Sequence, residues 1–131
     1  MRHESIIEGS FDWRFVPYVY IEFVGWGEPK EVFVDTGCNG DLLMHSKYTD
    51  PAYGLQWEST IEDRDNVKLA DGKTRQFDRP STKIVWFGVE RQVTVWLTHD
   101  EDIMLGTRLL SDCVLEIDFR NRRVRITNLF Q

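Results

Sequence analysis

Residues 31–43 read EVFVDTGCNGDLL. Val32, Phe33 and Val34 make an apolar run of β-formers that leads straight into Asp35. A carboxylate at the end of a buried strand is costly unless something holds it. Thr36 and Gly37 follow at once. The threonine hydroxyl can bond to neighbouring backbone, and the glycine lets the chain turn with no Cβ in the way. Asn39-Gly40 comes next, then the apolar residues Leu42 and Leu43. Three letters, Asp-Thr-Gly, recur by chance in roughly 2% of chains this long, so the flanks decide the reading.

The flanks are strands. RFVPYVYIEFVGW, from Arg14, places Phe15, Pro17, Val19, Ile21 and Phe23 on one face at period two. The other face carries Val16, Tyr18, Tyr20 and Glu22, and is expected to be at least half buried. Gly25–Lys30 reads as a turn. After Gly40 a short helix is expected, ending before Pro51. NVKLADGKTRQF is a hairpin, since Asp71-Gly72 supplies the positive φ angles of a tight turn. KIVWFGVERQVTVWL is a second hairpin, turning at Gly88-Val89-Glu90. Ile103-Met104-Leu105 is a short apolar strand that stops at Gly106, and TRLLSDC is a helix-sized piece with Thr107 as its cap. VLEIDF and RVRITNLF form a third hairpin around Arg120-Asn121. Seven to nine short strands with one or two short helices predict an all-β barrel or sandwich. Residues 1–13 read as an N-terminal arm and residues 14–131 as one domain.

Composition narrows the function. The chain has 131 residues, 41% of them hydrophobic and 13% aromatic, enough for a real core. Its net charge of −6 argues against a general nucleic-acid binder, which needs a basic footprint. The one basic cluster, Arg120 to Arg125, reads as a solvated hairpin. No stretch approaches a membrane span, and the first residues lack a signal-peptide core. Two distant cysteines, Cys38 and Cys113, make neither a disulfide framework nor a zinc quartet. A soluble cytoplasmic protein with free thiols is expected.

Most chemistry-bearing patterns are missing. His3, His45 and His99 are not spaced as metal ligands, and His99-Asp100-Glu101-Asp102 lacks the ligand spacing of a calcium loop. No metal and no cofactor are expected. There is no G-x-S-x-G elbow. GWGEPK has neither the spacing nor the ending of a phosphate cradle. Cys38 reads as a small apolar filler.

Asp35 remains. Its strand, a flap-like hairpin at VKLADGKTRQF, the run IMLGTRLL and a last strand LEIDF come in an order that resembles the retropepsin-like aspartic proteases over residues 15–126. DTGCNGDLL is particularly similar to the small single-domain prokaryotic members. The resemblance implies a closed β-barrel or sandwich with a flap, acting as a homodimer on a peptide or protein substrate. Such an enzyme needs two carboxylates across one water, and this chain has one Asp-Thr-Gly. Each subunit of a two-fold dimer would therefore bring one Asp35. Two acids so close share a proton, so one acts as base on the water and the other donates to the scissile carbonyl.

The resemblance also implies roles. Thr36 would bond across the dimer axis, and Gly37 would let backbone approach substrate. Met104, Leu105 and Gly106 would support the site from behind. Ala70, Asp71, Gly72 and Lys73 would form the flap over substrate, with Asn39 contacting it. Departures from viral members are Asn39, where an Asp is common, and Thr107 before Arg108, where Arg often follows the glycine directly. The flap is polar and charged. The rival reading is a module with this fold that binds peptides or dimerises without cleaving.

Overall fold

The computed structural model describes residues 5–58, 64–68 and 72–129. They form β1 (Ile6–Phe11), β2 (Pro17–Phe23), β3 (Lys30–Val34), β4 (Leu42–His45), β5 (Arg64–Lys68), β6 (Thr74–Asp78), β7 (Ser81–Trp86), β8 (Val89–Thr98), β9 (Met104–Leu105), β10 (Cys113–Asp118) and β11 (Arg123–Asn128). Two short 3-10 turns, Ser46–Thr49 and Pro51–Tyr53, follow β4.

Six strands close on themselves in the order β2-β3-β9-β4-β8-β7, with β7 returning to β2 through Glu22↔Val85 and Phe23↔Ile84. This is a closed all-β barrel, one of the two architectures, barrel or sandwich, that the sequence predicts. Two of its pairings are parallel, β3 with β9 and β4 with β8. Both lie beside the Asp35 loop. The interior follows from period-two alternation. Val19, Ile21 and Phe23 of β2 point inward, as do Leu42 and Met44 of β4 and Val93 and Val95 of β8, all essentially inaccessible. Each such side chain contributes about 1.5–3 kcal/mol by leaving water. The opposite face of β2 is wetter than expected: Glu22 is exposed and Tyr20 is 53% exposed.

Three further strands, β1, β11 and β10, extend the sheet beyond β2. Here the arm expected over residues 1–13 needs correction. From Ile6 the chain is a strand, paired with β11 (Ile6↔Thr127 to Gly9↔Val124) and with β2 (Gly9↔Val19 to Phe11↔Pro17). Phe15 leaves the expected strand face. It sits in a turn at φ +65° and packs its ring 4.9 Å from Phe11.

Local chemistry shifts two other boundaries. The β7–β8 turn is Phe87-Gly88, one residue earlier than expected, because Trp86 already pairs with Val89. Both turn residues have positive φ, 52° and 79°, the geometry that matches the twist of a two-residue hairpin. The helix expected at Thr107 is a run of i to i+3 turns, with Leu110 N donating to Thr107 O and Ser111 N to Arg108 O. After Gly40 the chain first forms β4, and only then turns, ending at Thr49 ahead of Pro51. The β5–β6 hairpin stands apart as its own two-stranded sheet, with Gly72 at φ +85° in its tip. Ala70 and Asp71 of that tip lie outside the described residues.

Candidate active site

β3 runs alongside the chain at β9. Phe33 N donates to Ile103 O (2.8 Å), and Asp35 N to Leu105 O (2.9 Å). Asp35 is thus fixed by the last backbone bond of a parallel pair. The chain then turns at once. Cys38 N donates to Asp35 O at 3.1 Å, and Gly37 N donates to the Asp35 Oδ1 carboxylate oxygen at 3.0 Å. The acid therefore holds the turn that follows it. Asp35 is half-buried, while Thr36, Gly37 and Asn39 are exposed. Among the described residues the Thr36 hydroxyl makes no hydrogen bond.

The segment after β9 ties the loop from behind. Gly106 N donates to Asp41 O (2.9 Å), Thr107 N to Cys38 O (2.8 Å) and Arg108 N to Gly40 O (3.2 Å). The Thr107 hydroxyl adds a second bond to Cys38 O at 3.2 Å. Gly106 is required by this closeness: a Cβ there would lie 2.3 Å from Gly40 O and 2.7 Å from Cys38 O. Met104 and Leu105 pair with Leu43 and Leu42 on one side and with Phe33 and Val34 on the other. The three expected supporting residues are therefore directly behind the loop that carries Asp35.

Cys38 is buried, and its Sγ accepts from Gly40 N at 3.4 Å. Burial pushes its thiol up from the ordinary value, and the nearby charges of Asp35 and Asp41 add to this. It packs as a small apolar group that resists ionisation, as the sequence suggests.

Sequence reading passed over Asp41. This residue is 8% exposed, and its Oδ2 accepts from both Thr94 N and Thr94 Oγ1 at 3.1 Å. It pins the exit of the loop to β8. Its Oδ1 has no hydrogen-bond partner among the described residues. No local motif marks this role, which arises only because β4 lies beside β8. Of the expected flap residues, Gly72 and Lys73 are exposed at the hairpin tip.

No protein-family model matches this chain, and no curated protein matches it. Its backbone does match a solved structure, a retropepsin-like aspartic protease from Rickettsia conorii, with a TM-score of 0.61. The match covers 98% of this chain and 96% of that one. The fold is retropepsin-like. At 14% identity the likeness lies in the course of the strands. The separate β5–β6 hairpin occupies the place in chain order where the sequence predicts a flap.

Proposed function

We propose that the chain is an aspartic endopeptidase whose active site is completed by a second copy of itself. The observation that carries this reading is the Asp35 carboxylate, half-buried at the end of β3 on a loop tied by three backbone N–H groups from Gly106, Thr107 and Arg108. A general base needs such fixed placement, because a small displacement of the reacting group costs much of the rate. The exposure of Thr36 and Gly37 and the free Thr36 hydroxyl fit a partner loop across a two-fold axis.

In that dimer the two Asp35 carboxylates face one water. One takes a proton from the water as it attacks the scissile carbonyl carbon, and the other gives its proton to the carbonyl oxygen. The tetrahedral intermediate then collapses and the C–N bond breaks; the leaving amine takes a proton from one carboxyl, and a hydroxyl of the intermediate returns one to the other carboxylate. No covalent enzyme intermediate forms. The substrate lies as an extended strand under the β5–β6 hairpin, which closes over it and excludes water. Both described thiols are free, which fits the reducing cytoplasm expected from the sequence.

The test is cleavage of a diverse peptide library by the purified chain across about pH 3 to 8, the span in which carboxylate pairs titrate. Cleavage is expected, favoured toward acid, and reduced at least roughly 10²–10⁴-fold in Asp35→Asn. A folded dimer that cleaves no library member rejects the enzyme reading in favour of a peptide-binding or dimerisation module.

A further inference from the structure

The nine-stranded sheet has its open edge at β10, because β7 at the other end closes back onto β2. Among the described residues β10 pairs with β11 alone, in an unbroken ladder from Cys113↔Asn128 to Asp118↔Arg123. The backbone bonds at its start show which groups are left over. Leu129 N donates to Asp112 O at 3.3 Å, directly across the same register. Bonded and non-bonded pairs alternate in an antiparallel ladder. Val114, Glu116 and Asp118 therefore bond to β11, while the N–H and C=O groups of Leu115 and Ile117 point to the open side. The neighbouring pair agrees, since Asn128 N turns the other way, to Ser5 O at 2.9 Å. Cys113 O points to the open side too, and Cys113 N is taken by Leu110 O at 2.9 Å. The backbones of Leu115 and Ile117 make no other hydrogen bond among the described residues.

The side chains alternate in step. Cys113, Leu115 and Ile117 pack against the core yet stay only half-buried at the edge. Val114 and Glu116 are exposed on the other face. Open edges are commonly blunted by proline, lysine or a bulge. β10 has none of the three.

The order of residues along this edge suits a second copy of itself. Two copies meeting antiparallel about a two-fold axis set one residue opposite itself. With Leu115 there, each Leu115 N–H reaches the other Leu115 O, and each Ile117 N–H reaches the other Cys113 O. Val114 then faces Glu116, and Cys113 faces Ile117. A register centred on Glu116 makes as many bonds but sets two carboxylates directly opposite, which is destabilising. In the Leu115 register the like-charged pair is Asp118 against Asp112. It falls at the rim, where salt screens it, and Arg123 stands 4.0 Å from Asp118.

The edge is also continuous with the Asp35 loop. Thr107 N donates to Cys38 O, Leu110 N to Thr107 O at 3.1 Å, and Cys113 N to Leu110 O. A second copy seated on β10 is thus fixed relative to the acid through one hydrogen-bonded run.

We propose that β10 is the docking strand for a second copy of this chain, joined edge to edge and antiparallel with Leu115 on the axis. The inference rests on the reading that a second copy completes the site, and it names the surface that recruits that copy.

Sedimentation of the full-length chain at increasing concentration is expected to show a dimer. Leu115→Pro removes an N–H that has no partner within the subunit. It is expected to raise the dimer dissociation constant about tenfold or more, with a cooperative thermal melt as the check on folding. If that variant does not fold, a pair of cysteine variants decides. In a Cys113→Ala background, Leu115→Cys should form a disulfide-linked dimer under mild oxidation, because its Cα atoms lie about 5.5 Å apart across the axis. Glu116→Cys should not, at about 8 Å. Three results overturn the proposal: a chain that stays monomeric, a folded Leu115→Pro that dimerises as tightly as the unaltered chain, or a cross-link through position 116 and not 115. A dimer linked through position 115 that cleaves no peptide rejects the catalytic reading alone. A cleaving dimer that never links there rejects this interface alone.

Discussion

Gly106 and Asp41 hold the Asp35 loop from opposite sides, and only one of them can be recognised from sequence. Gly106 ends an apolar run, Ile103-Met104-Leu105, so its need for a bare backbone is written locally. Gly106→Ala would force a methyl group to 2.3 Å from Gly40 O. It is expected to cost about 1–3 kcal/mol by overpacking, read as a lower denaturant midpoint at an unchanged slope. An unchanged midpoint would mean that the loop can move away from β9, contrary to the four bonds that tie it. Asp35, Thr36, Gly37 and Asn39 are legible for the same local reason: strand, acid, turn. Asp41 is not. Its partner Thr94 is 53 residues away, and the bond exists only through the parallel pairing of β4 and β8. The packing of Trp26 on Tyr48 and Tyr53 is hidden likewise, because their loops, distant in sequence, meet where Gly25 and Gly54 touch.

Among the elements, the antiparallel hairpins are legible because their strands and turns are neighbours in sequence. β1 is not, since Glu8, Gly9 and Ser10 interrupt any apolar alternation. Its strand character comes from pairing on both sides, to β11 and β2. Deletion of residues 1–11 is therefore expected to cause loss of cooperative unfolding or aggregation, because it bares the facing edges of β2 and β11. A truncated chain that melts like the full one would return the segment to the role of a loose arm. The β10–β11 hairpin offers a gentler test. Asp118 accepts from Asn121 Nδ2 at 2.8 Å and Asn121 N at 3.0 Å. These bonds, the side-chain one first, hold its carboxyl below the usual 3.8, with Arg123 also contributing. A depressed folded-state value means the contribution to stability is complete above the unfolded value. It is lost as pH falls below about 4 through the folded value. Asn121→Ala should move the Asp118 titration, followed by carboxyl NMR, upward toward the ordinary value. No movement would assign the depression to the Asn121 backbone N–H, with Arg123, instead of the side-chain amide.

At the scale of the whole molecule, the proposed site is half a site. Mixing wild-type subunits with an excess of inactive Asp35→Asn subunits should depress cleavage further than dilution alone. In an equal mixture with random pairing, about one quarter of the dimers carry two native acids. Activity that instead falls to half would show that one chain suffices and would reject the shared-site mechanism. The all-β class and the succession of strands along the chain could be anticipated because pattern and turns agree. The closure of β7 onto β2 and the packing of the termini could not, because they join segments with no common local signal. The bonds from residues 106–108 to the Asp35 loop have a further consequence, which concerns biosynthesis. While the ribosome still holds the chain short of Gly106, none of these bonds can form, and until β11 emerges β1 lacks one of its two neighbours. A nascent polypeptide therefore carries Asp35 on an unclasped loop until residues 106–108 have left the ribosome and bonded to it, so under the proposed function newly made chains cannot act on one another before that segment folds.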